Sequence, residues 1–287
     1  MTSTAATNSA GGAGVPMQPA PGGSHARFDV AGTPRITFGR LVAVEWRKML
    51  DTRAGFWLLL LTGVLLLIAV GLTLLVVGLN DFEISANDVS QILTIPLSLL
   101  LPVFPITSVT SEWSQRSGLV TFTLEPHRLR VLLAKLTAVV LLALSTIVIA
   151  IALGALTTVI AANITGNDVR WELEGRTLGL LVLSQLLYFG MAFALATLLL
   201  YTPASIAVFY VVALLLPFMV YSVLYGFFEW ARDLIPWIDL QFAFAPFLDS
   251  TQNVGAKEIG QLSSAIFLWI VLPGVLGMRR VLRAEPK

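Results

Sequence analysis

Five stretches of this chain run for the length of a membrane crossing or more without a charged side chain: Ala54–Asn80, Val89–Ser111, Leu136–Asn167, Thr177–Phe228 and Ile259–Met278. A helix needs about 20 predominantly apolar residues to cross the hydrocarbon core. Four of the runs hold one crossing each, and Thr177–Phe228 is long enough for two. The break in that long run is expected at Tyr201-Thr202-Pro203, because proline pushes the residue before it out of the helical region. The chain therefore reads as an all-α integral membrane protein with six spans, near residues 55–79, 90–110, 133–162, 178–200, 204–225 and 261–280. Composition agrees, since only 12% of the residues are charged, against roughly 25% in soluble proteins.

Charge placement sets the orientation, because Lys and Arg concentrate in loops on the cytoplasmic side. Fourteen of the 18 basic residues lie before span one, between spans two and three, or after span six. Only Arg170, Arg176, Arg232 and Lys257 lie on the other side, where most of the acidic residues gather. Both termini and the loop after span two are thus expected in the cytoplasm, with the protein in the cytoplasmic membrane.

Residues 1–34 are expected to form a disordered tail. Up to Ser24 they are mostly Thr, Ala, Ser, Gly and Pro with no acidic or basic side chain, too little apolar surface to offset the entropy of ordering. They lack the basic and apolar regions of a secretory signal. Residues 35–53 then read as an amphipathic helix in Phe38–Arg53 (FGRLVAVEWRKMLDTR). At about 100° per residue, Phe38, Leu41, Val42, Trp46 and Met49 share one face, with Arg40, Arg47 and Asp51 opposite. Such a helix suits the membrane interface. Glu45 is its exception, an acid within the apolar face, open either to pairing with Lys48 three residues on or to contact with a partner or the central loop.

The six-span domain occupies 54–283, followed by a cytoplasmic tail at 284–287. Span two carries Pro96, Pro102 and Pro105 just before a polar, basic segment, Ser111–Lys135 (SEWSQRSGLVTFTLEPHRLRVLLAK). Prolines kink spans, so span two is expected to be a bent lever. Gly226–Leu248 is aromatic-rich and interrupted by Pro236 and Pro246, and is expected as one or two short helices re-entering the outer leaflet.

Several chemistries have no residues here. There is no Cys, so thiolate metal sites have no ligands, and His occurs only at 25 and 127, which leaves little for histidine-based metal or proton chemistry. The phosphate loop GxxxxGK[ST] and the hydrolase motifs HExxH and GxSxG are absent. No Asp, Glu, Lys, Arg or His sits centrally in a span, where ion-coupled transporters and intramembrane enzymes place theirs. Hydroxyls remain: Thr94, Ser98 and Thr107 of span two and Tyr210 and Tyr221 of span five are the candidates for lining a substrate path.

An interfacial helix with Glu45-x-x-Lys48, a loop opened by Glu112 after span two, a basic residue entering span three and an outer re-entrant segment before span six together resemble the permease subunit of ABC type 2 exporters. The resemblance covers about Phe38–Arg283. Gly118, Thr123, Pro126, Arg128, Arg130 and Lys135 fit its loop pattern, with a departure at Leu119 and Val120, where many members have a Thr directly after the glycine. It implies that the loop forms a coupling helix docking a separate ABC ATPase, with Glu112, Arg116, Phe122, Leu124, Glu125, Pro126, Arg128 and Arg130 at the contact and Glu45, Trp46, Arg47 and Lys48 beside it. It further implies a dimer with a second permease copy or paralogue, no enzyme activity or cofactor in this chain, ATP and Mg on the partner, and no nucleic acid. The expected function is outward movement of an amphipathic drug, antibiotic or lipid along spans two and five. A non-translocating scaffold or sensor, and an ion-coupled secondary transporter, remain as alternatives.

Overall fold

The computed structural model describes residues 36–80, 82–114, 127–172, 174–248 and 254–283. Helix α1 (Phe38–Leu50) turns sharply into α2 (Arg53–Asn80). The turn needs Gly55, because a Cβ there would run into the carbonyl oxygen of Met49. A broken helix follows, α3 (Ala86–Leu100) and α4 (Val103–Ser114), then α5 (Arg128–Thr165) and α6 (Gly175–Leu199). Helix α7 (Thr202–Phe227), two short helices α8 (Glu229–Ile238) and α9 (Leu240–Leu248), and α10 (Ala256–Arg283) complete the chain. Among the described residues no strand forms beyond an isolated bridge between Ser85 and Arg170.

Six helices are long and apolar enough to span a membrane: α2, the α3–α4 pair, α5, α6, α7 and α10. The α3–α4 pair and α5 extend past their uncharged runs, so that Glu112, Arg128, Arg130 and Lys135 are residues of helix ends rather than of a free loop. The expected breaks are present. Span two opens at Leu101–Pro102, where the proline lacks the N–H that a continuous helix would need. Helix α6 ends at Leu199, and α7 restarts at Thr202 with Pro203 in its first turn. Helix α3 starts on a capping box, in which Ser85 Oγ accepts from the Asp88 N–H and the Asp88 carboxylate accepts from the Ser85 N–H. Helix α5 stops at Gly166, whose φ of 73° is open to glycine at little cost.

Helix α6 is the centre of the bundle. Met191 through Thr197 are buried without interruption, as a helix apolar on all sides must be. Small residues let α10 lie close against it: Gly190 faces Ile270, Ala194 faces Gly274, and Gly277 sits on Thr197 and Leu198. Close approach through small side chains is the usual device where lipid removes the hydrophobic drive for helices to associate. Helices α2 and α7 are peripheral. They expose apolar side chains along their length, such as Leu67 at 71% and Phe218 at 62%. In water such surface would be an aggregation site, and against acyl chains it is unremarkable.

The short helices α8 and α9 occupy the place expected for a segment between spans five and six. Asp239 caps α9 by accepting from the N–H groups of Gln241 and Phe242. The pair lies on α10, with Trp269 Nε1 donating to the Ile238 carbonyl and Ser264 Oγ to that of Trp237. Residues 1–35 lie outside the described residues, and with them the expected disorder of the tail.

A Cβ on Gly277 would meet the Thr197 hydroxyl and would approach the Leu198 nitrogen and the Thr197 carbonyl carbon to 2.6 Å, backbone atoms that cannot yield cheaply. Gly277→Ala is therefore expected to cost about 1–3 kcal/mol of stability. Gly63→Ala, on span one with open space around it, should be neutral by comparison. Equilibrium unfolding in mixed micelles would measure both, and equal costs would show that the α6–α10 seam is not tight.

Candidate functional site: a buried ion quartet at the basic end

Helix α1 lies chiefly against the start of α5, with α4 to one side. Its inward stripe is Leu41, Val42, Glu45, Trp46 and Met49, so the acid on the apolar face points into the protein. There Glu45 Oε2 accepts from Lys135 Nζ at 2.6 Å, and Glu45 Oε1 accepts from Lys48 Nζ at 2.8 Å. Glu112, at the end of α4, closes the ring: its Oε1 lies 3.2 Å from Lys48 Nζ and 3.1 Å from Lys135 Nζ. Glu45 thus pairs with Lys48 and also with Lys135 at the start of α5, while segment 115–126 lies outside the described residues.

Two carboxylates and two ammonium groups make the cluster neutral. Glu45, Glu112 and Lys135 are buried, and the Lys48 side chain is 46% exposed at the rim. The Lys135 ammonium has three N–H donors and three acceptors around it: Glu45, Glu112 and the Ser108 carbonyl at 3.0 Å. Burial pushes the Glu45 carboxyl up, but the charge and hydrogen bond of Lys135, joined by Lys48, more than offset this and hold it below its ordinary 4.5. Burial likewise pulls Lys48 down, and Glu45 and Glu112 hold it above its ordinary 10.5.

The two arginines assigned to docking start α5 and reach across the same end. Arg128 Nη1 donates to the Val281 carbonyl of α10 at 3.3 Å, and Arg130 Nη2 to the Ile36 carbonyl ahead of α1 at 2.7 Å. The ends of α1, α4, α5 and α10 are thus cross-linked around the point where segment 115–126 leaves and returns. Trp46 packs on the core from α1, whereas Arg47 is on its exposed side. Arg116, Phe122, Leu124, Glu125 and Pro126 lie outside the described residues.

The hydroxyls expected along a substrate path are not gathered in one place. Thr94 and Ser98 line a cavity at the opposite, acidic end of the bundle. Thr107 donates to its own helix at Val103 and Phe104. Tyr210 donates to the Leu99 carbonyl at 2.6 Å, just ahead of the break in span two. Tyr221 stands farther along α7, at the end of a widened, π-helical stretch that includes Pro217. Sequence reasoning did not foresee that Glu45, Lys48, Glu112 and Lys135 meet. The available signal was an acid misplaced on an apolar face together with a basic residue at the entry to span three. In comparisons with known proteins, no family model and no curated protein matched this chain.

Removing Lys135 leaves two carboxylates against one exposed lysine, so Lys135→Met is expected to destabilise by about 3–5 kcal/mol. Lys135→Met with Glu45→Leu should recover much of that loss, which a double-mutant cycle would read as coupling. The pH dependence has a definite sign. Stability from Glu45 is present above pH 4.5 and fades as pH falls through its lowered value. Stability from Lys48 is present below pH 10.5 and fades as pH rises through its raised value. Protease protection of α1 should therefore be flat between those limits and drop on either side. A slope near neutrality would show that these pairs do not hold the helix.

Proposed function

We propose that the chain is the transmembrane permease subunit of an ATP-driven exporter, with a separate ATPase docking on segment 111–135. The observation that carries the proposal is the ion quartet, which ties both roots of that segment to α1 and so makes its surroundings rigid. A docked partner can move membrane helices only through a stiff connection, and a free polar loop would absorb the displacement. With no phosphate loop in the chain and no Asp, Glu, Lys, Arg or His central in a span, the energy for transport has to come from another subunit. Outward movement of an amphipathic molecule, and a second permease copy completing the path, belong to the same reading and follow from the family resemblance.

A mechanical route goes with it. Force on 115–126 reaches α4 directly and α1 through Glu112–Lys48. Helix α4 can pivot at Leu101–Pro102, and Thr110 shares a 2.7 Å hydrogen bond with Thr202 at the start of α7. Displacement of α4 is thereby passed to the second span expected to face the path.

The test is reconstitution. Purified from native membranes in mild detergent, the chain is expected to carry a GxxxxGK[ST] protein in near-equal amount, whose ATPase rate rises with substrate in proteoliposomes. Arg128→Glu with Arg130→Glu should leave the chain inserted and lower ATPase binding by at least about tenfold, consistent with loss of directed ion pairs at an interface. Full binding and export by the double variant would overturn the docking assignment. ATPase binding with no vesicle transport would instead favour a scaffold.

A further inference from the structure

We infer that the cavity at the acidic end binds an uncharged amphiphile whose head carries a hydrogen-bond donor, a hydroxyl or an amide N–H, on an alkyl chain. The cavity measures about 300 Å³ and is framed by α3, α6 and α9. That is the lower end of the range for ligand sites, about 300–1,000 Å³, so it suits a head group and the first stretch of a chain.

Its polar lining holds Gln91, Tyr188 and Gln241, which can donate or accept, beside a set of groups that can only accept. The hydroxyls of Thr94, Ser98 and Ser184 donate to carbonyls of their own helices at Ser90, Ile95 and Leu181. What they can offer the cavity is lone pairs. Gln185 is fully buried in the wall, and its Oε1 has no hydrogen-bond partner. The orientation of that amide is determined by its neighbour. Thr146 Oγ1 donates to the Ala143 carbonyl at 2.7 Å, so it can only accept from Gln185, through Nε2 at 3.4 Å. Oε1 is therefore the atom left over, an acceptor that a buried site leaves unmade only at a cost.

Among the described residues no Asp, Glu, Lys or Arg lines this cavity, which selects against a charged head. The remaining wall is apolar: Leu181, Leu240 and Phe244 are buried, and Ile95 and Leu248 are exposed at the rim, where a chain can leave. A second hollow of about 270 Å³ shares Gln91 and Leu248 with it and carries Glu172, Glu174 and Arg176. The site thus lies between a charged vestibule and an apolar rim. This inference rests on the cavity walls alone and does not require an ATPase partner.

The probe is a long-chain alcohol with a photoreactive diazirine on its chain, presented to the full chain in nanodiscs of synthetic phosphatidylcholine. Saturable labelling is expected within 91–98, 181–188 and 240–248. Competition by diacylglycerol in the bilayer identifies a membrane source for the ligand, competition by a water-soluble alkyl amide identifies a free solute, and failure of both overturns the inference. The methyl ether of the same chain accepts but cannot donate, and should bind more weakly than the alcohol. Gln185→Leu should weaken the alcohol by about two- to tenfold and leave the ether unchanged. Ala245→Trp, at an exposed wall position outside the core, should exclude both. Equal labelling by alcohol and ether, or native affinity for the alcohol in Gln185→Leu, would mean that Oε1 holds only water.

Discussion

Lys135 is the group on which the arrangement of the basic end depends. An ammonium taken out of water without compensation costs several kcal/mol, so its place in α5 is tenable only if opposite charge is brought to it. Glu45 brings it from α1 and Glu112 from α4, and the Ser108 carbonyl completes the shell. None of these groups could be buried alone. Together they commit α1, α4 and α5 to one relative position, which apolar packing would leave freer to slide. Such a cluster adds little net stability over a well-packed apolar substitute, and its effect is to define a single geometry.

The interior of the bundle follows a different rule. Between the ends, polar side chains satisfy themselves within their own helix: Thr62, Thr73, Thr94, Thr107, Thr157 and Thr158 each donate to a carbonyl three or four residues back. In hydrocarbon this is the most economical outcome, because no partner helix has to be positioned to meet a lone hydroxyl. It also makes the exceptions informative. Tyr210 leaves its own helix to hold the Leu99 carbonyl beside the proline break, where backbone bonding is interrupted. Gln185 Oε1 meets nothing, in a wall where the hydroxyls of Thr94, Ser98 and Ser184 are satisfied within their own helices.

Much of the fold was legible in the sequence because the membrane constraint is so severe. Uncharged runs of sufficient length can hardly be anything but spanning helices, and Pro203 and Pro102 mark breaks by chemistry that depends on no tertiary context. The helix ends were less legible, since the charged residues that terminate an uncharged run continue to be helical: α5 begins eight residues before Leu136. Glu45 was recognisable as out of place, but its partner Lys135 lies 90 residues away, and helix periodicity carries no information at that separation. The acidic-end cavity was legible only in part. Thr94 and Ser98 could be listed as hydroxyls in a span, while Gln185 and α9 meet them solely because α6 is central.

The position of the break in span two decides how far a movement at the basic end can travel. Helix α4 is joined at its C-terminal end to the quartet and at its N-terminal end to a discontinuity that lacks a backbone donor. Helix α3, beyond the break, is held separately: its capping box and the Ala86 N–H to Arg170 carbonyl bond anchor it, and Ser90 sits where α5 has Gly154 in place of a side chain. A rotation of α4 is therefore absorbed at Leu101–Pro102 before it reaches α3. What α4 does drag is α7, through the Thr110–Thr202 bond, and α7 has the lowest buried share of the six spans. The least restrained span is thus the one bonded to the most constrained end of the protein, and through Tyr210 and the Leu99 carbonyl it is also bonded to α3 beside the break.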